Sequence, residues 1–321
     1  MEVLKKAAFI IKRLGACLVT LVSLSFIIFS LLFLAPGDPA RNLVGTRRAT
    51  PELLAQIRAQ HHLDDPFLSQ YTRWISGALN LDFGRSIRTN VNIIDHVSPH
   101  AGVTFQLVGM SLVFSLCLGL PLGIISAKNK GKKLDGAINV MALVGTSAPS
   151  FAVGLLLLYF FAFRLRIFPM YGAQTVGHLI LPAITLSFGI SAFIIKITRQ
   201  AMLMEIGSDY TVFMRSRSVA PYKIMRAQLK NAASPVLTST GLVLASLFGS
   251  TVLVESIFSI PGLGSLLASA VTFRDVPVVQ FIALMLAVAI SLTSAFVDIL
   301  VYLLNPNMQK ESTVSQKRGE S

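Results

Sequence analysis

Few residues in this chain have the type and spacing that chemistry needs. A phosphate-cradling loop requires a glycine, four residues and then Gly-Lys followed by Ser or Thr, so that backbone N–H groups converge on an anion. The only Gly-Lys pair, Gly131-Lys132, has Ser126 where the first glycine belongs and Lys133 at the end. This chain does not bind a nucleotide that way. The Gly-x-Ser-x-Gly elbow and the His-Glu-x-x-His zinc motif are both absent. His96 and His100 stand four apart beside Asp95, a spacing that would bring two imidazoles to one helical face. Pro99 works against that helix, and His61-His62 adds no second cluster, so these read as solvated or capping histidines in a loop.

Carboxylates inside apolar runs mark proton and ion relays. Glu255, at the end of one run, and Asp298, near the end of another, are expected to cap a helix or pair with a neighbour instead. No catalytic, cofactor-binding or metal residues emerge, and the chain reads as a non-enzyme. Transport by such a protein is either passive or driven by another subunit.

The elements that carry these residues are membrane spans. Of 321 residues 53% are apolar and 13% charged, with a mean hydropathy of +0.68, which excludes an ordinary soluble domain. Six stretches without Asp, Glu, Lys or Arg reach or approach the length that crosses hydrocarbon: Leu14–Ala35, Thr104–Ala127, Ala137–Phe163, His178–Ile195, Pro235–Val254 and Val276–Val297. The expected fold is an all-α integral membrane protein with six transmembrane helices. The first run follows Lys5, Lys6, Lys12 and Arg13 like a signal sequence, but its 22 residues exceed a signal-peptide core and predict a retained anchor. Cys17 and Cys117 both fall inside spans, so no disulfide framework is available.

The net charge of +13 follows a membrane pattern rather than a nucleic-acid patch. With the N-terminus inside, residues 1–13 carry +3, 127–135 carry +3, 196–230 carry +5 and 304–321 carry +1. The opposite segments carry +1 over 36–100, +2 over 164–176 and −1 over 255–278. The positive-inside rule therefore predicts cytoplasmic termini, although Arg164 and Arg166 weigh against it.

Four divisions are expected: a cytoplasmic tip with the first span (1–35), an extracytoplasmic helical segment (36–100), a five-span core (101–304) and a cytoplasmic tail (305–321). In the external segment, Leu53, Leu54 and Ile57 predict one amphipathic helix after Thr50-Pro51-Glu52, and Leu68, Tyr71, Ile75 and Leu79 predict the face of a second. Small residues at helix-packing spacing (Gly119 and Gly123, Ser150 and Gly154, Ala245 and Gly249) are common to helical membrane proteins and carry no functional reading.

The longest internal loop, 198–234, is structured. Ser208 or Asp209 can cap a short helix "DYTVFMRSR", which breaks at Val219-Ala220-Pro221, and "YKIMRAQLKN" forms a second. Tyr210, Phe213, Met214, Ile224, Met225 and Leu229 interleave with Arg215, Arg217, Lys223, Arg226 and Lys230. A DNA-binding helix-turn-helix has a similar pattern. Tethered between two spans, this one can reach only lipid headgroups or a partner protein, and nucleic acid is not expected as a partner.

Motifs along nearly the whole chain resemble the inner-membrane permease subunits of ATP-binding-cassette importers, in the dipeptide, oligopeptide and nickel branch. They are "FLAPGDPA" after the first span, "HLDDPFLSQYTRW" and "LDFGRS" in the external segment, and "SAPSFAVG" in the third span. "LPAITLSFGISAFIIKITRQAML" covers the fourth span, "VESIFSIPGLGSLL" ends the fifth and "VDILVYLLNPNMQ" closes the last.

The resemblance implies a type I importer architecture and alternating access. It implies a second homologous permease as heterodimer partner, two cytoplasmic ATPase subunits that use ATP and Mg, and an extracytoplasmic solute-binding protein. Residence in a bacterial inner membrane follows. Short peptides are the implied solutes, with nickel or a metal–chelator complex as the alternative and a stand-alone carrier or channel as the rival from another class. The basic loop then carries the coupling helix that docks in the ATPase, through Asp209, Tyr210, Arg215, Arg217, Ser218, Val219, Ala220, Pro221, Tyr222 and Lys223. This sequence departs from the family pattern with Phe213 and Met214 in an alanine-rich stretch, Ser218 for glycine and Gln228 for histidine. The second helix is also one residue short, which corresponds to a rotation of about 100°. Gln106, Ser147, Ser150, Thr238 and Ser239 are polar residues in spans that could line a pore or bond across helices.

Overall fold

The computed structural model describes residues 2–33, 40–41 and 50–304. Most of "FLAPGDPA" and the tail 305–321 lie outside the described residues.

Helix α1 (Glu2–Phe33) is apolar and exposed over most of its length, as expected of a lipid-facing anchor. It packs along α11 (Val276–Leu304), where Phe9 stacks on Tyr302 at 3.9 Å between ring centroids and Arg13 pairs with Asp298. The second carboxylate found in an apolar run is therefore a helix–helix partner.

Two short helices follow, α2 (Pro51–His61) and α3 (Phe67–Leu79). Thr50 caps α2 by accepting the Leu53 N–H, and Pro51 fills the first turn, where a missing N–H costs nothing. Helix α3 docks on the end of α1 through an aromatic cluster: Phe67 and Tyr71 lie 5.3–5.6 Å from Phe26 and Phe29, and Trp74 joins them at 5.7 Å from Phe29. The expected face needs correction, because Leu68 and Leu79 are exposed at 66% and 79%. Ring stacking rotates the helix towards Phe67, Tyr71 and Trp74.

The core is built on α4 (Ile93–Lys128) and α7 (Val176–Ile206), the most buried span. A Cβ on Gly119 would lie 2.6 Å from Ile194, and one on Gly123 would lie 2.6 Å from Thr198, so these glycines let two backbones approach without a hydrophobic driving force. Pro99 sits inside α4, and the helix continues through it. His100 Nδ1 hydrogen-bonds the His96 carbonyl oxygen at 3.0 Å, which occupies that ring nitrogen.

The stretch expected as one span, Ala137–Phe163, is broken. Helix α5 (Lys133–Ser147) ends at Ala148, and α6 (Ser150–Leu157) leaves at 103° before finishing in a π-helical turn, Leu158–Arg164. Pro149 excludes Ala148 from helical geometry and holds it extended at φ −74°, ψ 127°. Among the described residues, five helices are long and apolar enough to cross a membrane, and the bent pair makes up to six.

Short α8 (Asp209–Ser216) precedes α9 (Pro221–Ile257), a single helix of 37 residues. The expected second loop helix and the fifth span are therefore one rod running through Pro235. Helix α10 (Leu263–Thr272) is short and apolar and leads into α11. Lys128, Lys130, Ile206, Arg215 and Tyr222 line one cleft and mark a basic end of the bundle. Helix α10 and the turn at 83–92 form the opposite end, where Asp275 accepts the Ser86 hydroxyl and the Ile87 and Arg88 N–H groups.

Candidate coupling segment and translocation face

Residues 207–221 join the basic ends of α7 and α9, and polar contacts within the chain fix their shape. Ser208 is the N-cap residue of α8, but its hydroxyl donates to the Glu205 carbonyl at 2.7 Å rather than capping an N–H. Thr211, fully buried, donates to the same carbonyl at 2.7 Å and accepts Gln228 Nε2 at 3.3 Å. Tyr210 Oη donates to Glu205 Oε2 at 2.6 Å, and Asn231 Nδ2 reaches the same oxygen at 3.3 Å. One carboxylate on α7 thus fastens α8 and the start of α9. Burial, and then the neighbouring Glu205 carboxylate, push the Tyr210 phenol above its ordinary value of 10.0.

The turn is a Schellman motif. Ser218 N–H donates to the Arg215 carbonyl at 2.9 Å and Val219 N–H to the Met214 carbonyl at 3.1 Å, with Ser218 left-handed at φ +53°. Glycine is preferred at this position because it lacks the Cβ that a left-handed backbone crowds. Ala220 then caps α9, with Pro221 at its first position.

The structure separates the expected docking residues by exposure. Asp209, Arg215, Arg217, Ser218, Pro221, Tyr222 and Lys223 are exposed, Val219 and Ala220 are half-buried, and Tyr210 turns inward to Glu205. Arg217 lies over the Phe213 ring at 4.8 Å. Lys128, Arg215, Val219, Pro221, Tyr222 and Gln228 are among the residues around a cleft of about 820 Å³ beneath the turn. Gln228, 2% exposed, belongs to the internal lock and not to the outer surface.

The expected pore candidates are not one group. Ser150, at the bend between α5 and α6, lines a cavity of about 130 Å³ with Thr185, Ser246 and Ser250. Ser147 and Gln106 are exposed on α5 and α4. Thr238 and Ser239 return their hydroxyls to the carbonyls of Ser234 and Pro235, at 3.0 and 2.8 Å. Thr238, Leu242, Ser246 and Ser250 nevertheless follow each other at four-residue spacing along α9. That periodicity is the sequence signal for Ser246 and Ser250, which the polar residues singled out from the sequence do not include.

Glu255 is fully buried, accepting Thr104 Oγ1 at 2.6 Å and the Ser265 N–H at 2.8 Å. Thr104 Oγ1 in turn accepts the Leu263 N–H at 2.7 Å. The carboxylate satisfies the unpaired N–H groups that open α10 and ties that helix to α4 and α9. A Cβ on Gly262 would fall 2.3 Å from its carboxyl carbon, which leaves room only for glycine there.

At the basic end, Asp135 accepts Arg199 through both oxygens at 2.8 and 2.9 Å, together with the Ser126 hydroxyl and the Gly131 N–H. This cluster locks α4, α5 and α7 where the coupling segment begins.

Residues 119–310 match the model of the binding-protein-dependent transport system inner membrane component, and residues 6–108 match its N-terminal family. The chain is 33% identical over 310 residues to a probable peptide ABC transporter permease, y4tP of Sinorhizobium fredii, covering 94% of this chain and 99% of that one. It is also 33% identical over 299 residues to the glutathione transport system permease GsiC of Escherichia coli K12, covering 93% and 97%. In fold it is similar to a chain of the inward-facing MetNI methionine ABC transporter, with a TM-score of 0.53 at 19% identity over 63% of this chain and 94% of that one. A broken-helix bundle of this architecture, matched along nearly its whole length, belongs to the binding-protein-dependent inner-membrane permeases and is a multi-pass permease subunit of an ABC importer.

Proposed function

We propose that this chain forms half of a pore for short peptides, the other half being a second homologous permease. Two ABC ATPases dock on the coupling segments from the cytoplasm and use ATP and Mg, while an extracytoplasmic binding protein delivers the solute. This chain binds no cofactor. The basic end faces the cytoplasm under the positive-inside rule, with both termini on that side. Relatives named for peptide and glutathione transport support peptidic solutes.

The observation that carries the reading is the Glu205–Tyr210–Thr211–Gln228 lock. It makes the exposed turn from Arg217 to Lys223 rigidly continuous with α7 and α9. A push on that turn is delivered along two spans instead of being absorbed by a flexible loop. ATP-driven closure of the ATPases draws the coupling helices together and opens the pore outward, and hydrolysis resets it.

The test is ATP-dependent uptake by vesicles containing the permease pair, ATPases and binding protein, with labelled dipeptide, glutathione and nickel compared. Peptide accumulation above an ATP-free control is expected. Uptake that persists without the ATPases and follows an ion gradient would instead establish a secondary carrier, and accumulation of nickel alone would move the solute to the metal branch.

A further inference from the structure

Lys196 is an exposed cation on the face of α7 that runs past the bend between α5 and α6. Gly189, Phe193, Lys196 and Gln200 share that face, at offsets of four, seven and eleven residues. Two cavities lie along it. The cavity of about 130 Å³ lined by Ser150, Thr185, Ser246 and Ser250 also touches Gly189. A second, of about 470 Å³, is lined by Asn139, Lys196, Arg199, Gln200, Leu203 and Met204. Between them α5 crosses α7 closely: a Cβ on Gly145 would lie 2.7 Å from Ala192, and one on Gly189 would lie 3.4 Å from the Gly145 carbonyl oxygen.

The lysine is not tied up as its neighbour is. Arg199, one turn on, is held by both oxygens of Asp135. Among the described residues no carboxylate pairs with Lys196, whose ammonium donates to Thr146 Oγ1 at 2.9 Å. Thr146 stands about 20 Å along α5 from its basic start at Lys133. The amine therefore points away from the headgroup layer at the basic end and towards the helix bend. A lysine serving that layer would snorkel the other way.

We propose that Lys196 is a specificity-determining cation on the translocation path, which pairs with the free carboxylate of the passing solute. The inference rests on the peptide-pore reading. A carboxylate leaving water for a membrane passage loses solvation, and an exposed ammonium flanked by Thr146, Asn139 and Gln200 replaces part of it. Solutes with a blocked C-terminus gain nothing from the cation.

The experiment compares uptake of a dipeptide and of its C-terminal amide by the reconstituted complex, each on saturated binding protein. Lys196→Gln should lower free-acid uptake about tenfold relative to the amide, while Lys196→Arg retains the preference. A second arm modifies the folded, assembled Lys196→Cys protein in a Cys17→Ser, Cys117→Ser background. Attachment of an aminoethyl group should restore free-acid uptake, and a sulfonatoethyl group should not. Equal loss of acid and amide in Lys196→Gln, or equal effects of the two reagents, would overturn the inference while leaving the pore intact. Absence of uptake of any peptide by the unmodified complex would overturn the pore reading and this inference with it.

Discussion

Replacing Ser218 by glycine should tighten the coupling turn, against the usual rule that glycine loosens a chain. Ser218 is exposed and holds φ +53°, with both Schellman hydrogen bonds formed around it. A left-handed backbone costs a residue with a Cβ about 1–2 kcal/mol. Glycine removes that strain, and its greater freedom in the opened turn takes back about 0.5–1 kcal/mol. The net gain is about 0.5–1 kcal/mol, or roughly two- to fivefold in the opening equilibrium. Among the described residues, no hydrogen bond from the Ser218 hydroxyl offsets it. Ser218→Val should shift the equilibrium the other way by at least as much, because a β-branched residue fits this region worst. Hydrogen exchange of the purified protein in detergent, followed at the Ser218 and Val219 amides, reads the opening directly. Slower exchange in the glycine variant and faster exchange in the valine variant are expected. Unchanged exchange in both would show that the left-handed turn is not under strain and would refute the reasoning.

Gly262→Ala should detach the start of α10, since the new methyl overlaps the Glu255 carboxylate; a loss of about 3 kcal/mol or more, seen as a lowered melting temperature and faster exchange at residues 263–265, is expected from combined overpacking and unpaired polar groups. Asp135→Ala and Arg199→Ala should each cost about 1–3 kcal/mol, and the double variant markedly less than their sum, because either single change leaves a charged group without its bidentate partner at a partly buried site; additive costs would show that the pair is uncoupled. The raised phenol of Tyr210 contributes stability that is fully present below pH 10.0 and is lost as pH rises through its higher folded-state value. Alkaline titration of coupling-segment exchange should show that step, and Tyr210→Phe should abolish it.

Several elements were legible in the sequence because one local signal dominated each. Uncharged runs placed the spans, since hydrocarbon tolerates little else. Pro221 marked the start of α9, and Val219-Ala220-Pro221 marked the break before it. Other features depended on competition between local rules and packing. Pro99 reads as a breaker and Pro235 as the first residue of the fifth span, but α4 and α9 pass through both, as spans often do where neighbouring helices compensate. Pro149 did break its helix, at a site where Gly145 and Gly154 bring α5 and α6 against α7. Sequence alone does not distinguish these three prolines. The docking face of α3 was placed one position off because periodicity weighs leucine and aromatic residues alike, whereas the aromatic cluster on α1 selected Phe67, Tyr71 and Trp74.

Composition by itself determined that this chain is a helical membrane protein, and the charge pattern and ordered motifs made it an importer permease. Those are properties of local segments, set by hydropathy and backbone chemistry. The partners of the few polar groups were decided by tertiary structure alone. Glu255 meets Thr104 and the start of α10, Asp298 meets Arg13, and Gln228 meets Thr211 across 17 residues. Lys196, in contrast, faces a cavity without a carboxylate among the described residues. Which charges are satisfied inside the chain depends on how whole helices cross, and no pattern along one segment carries that information.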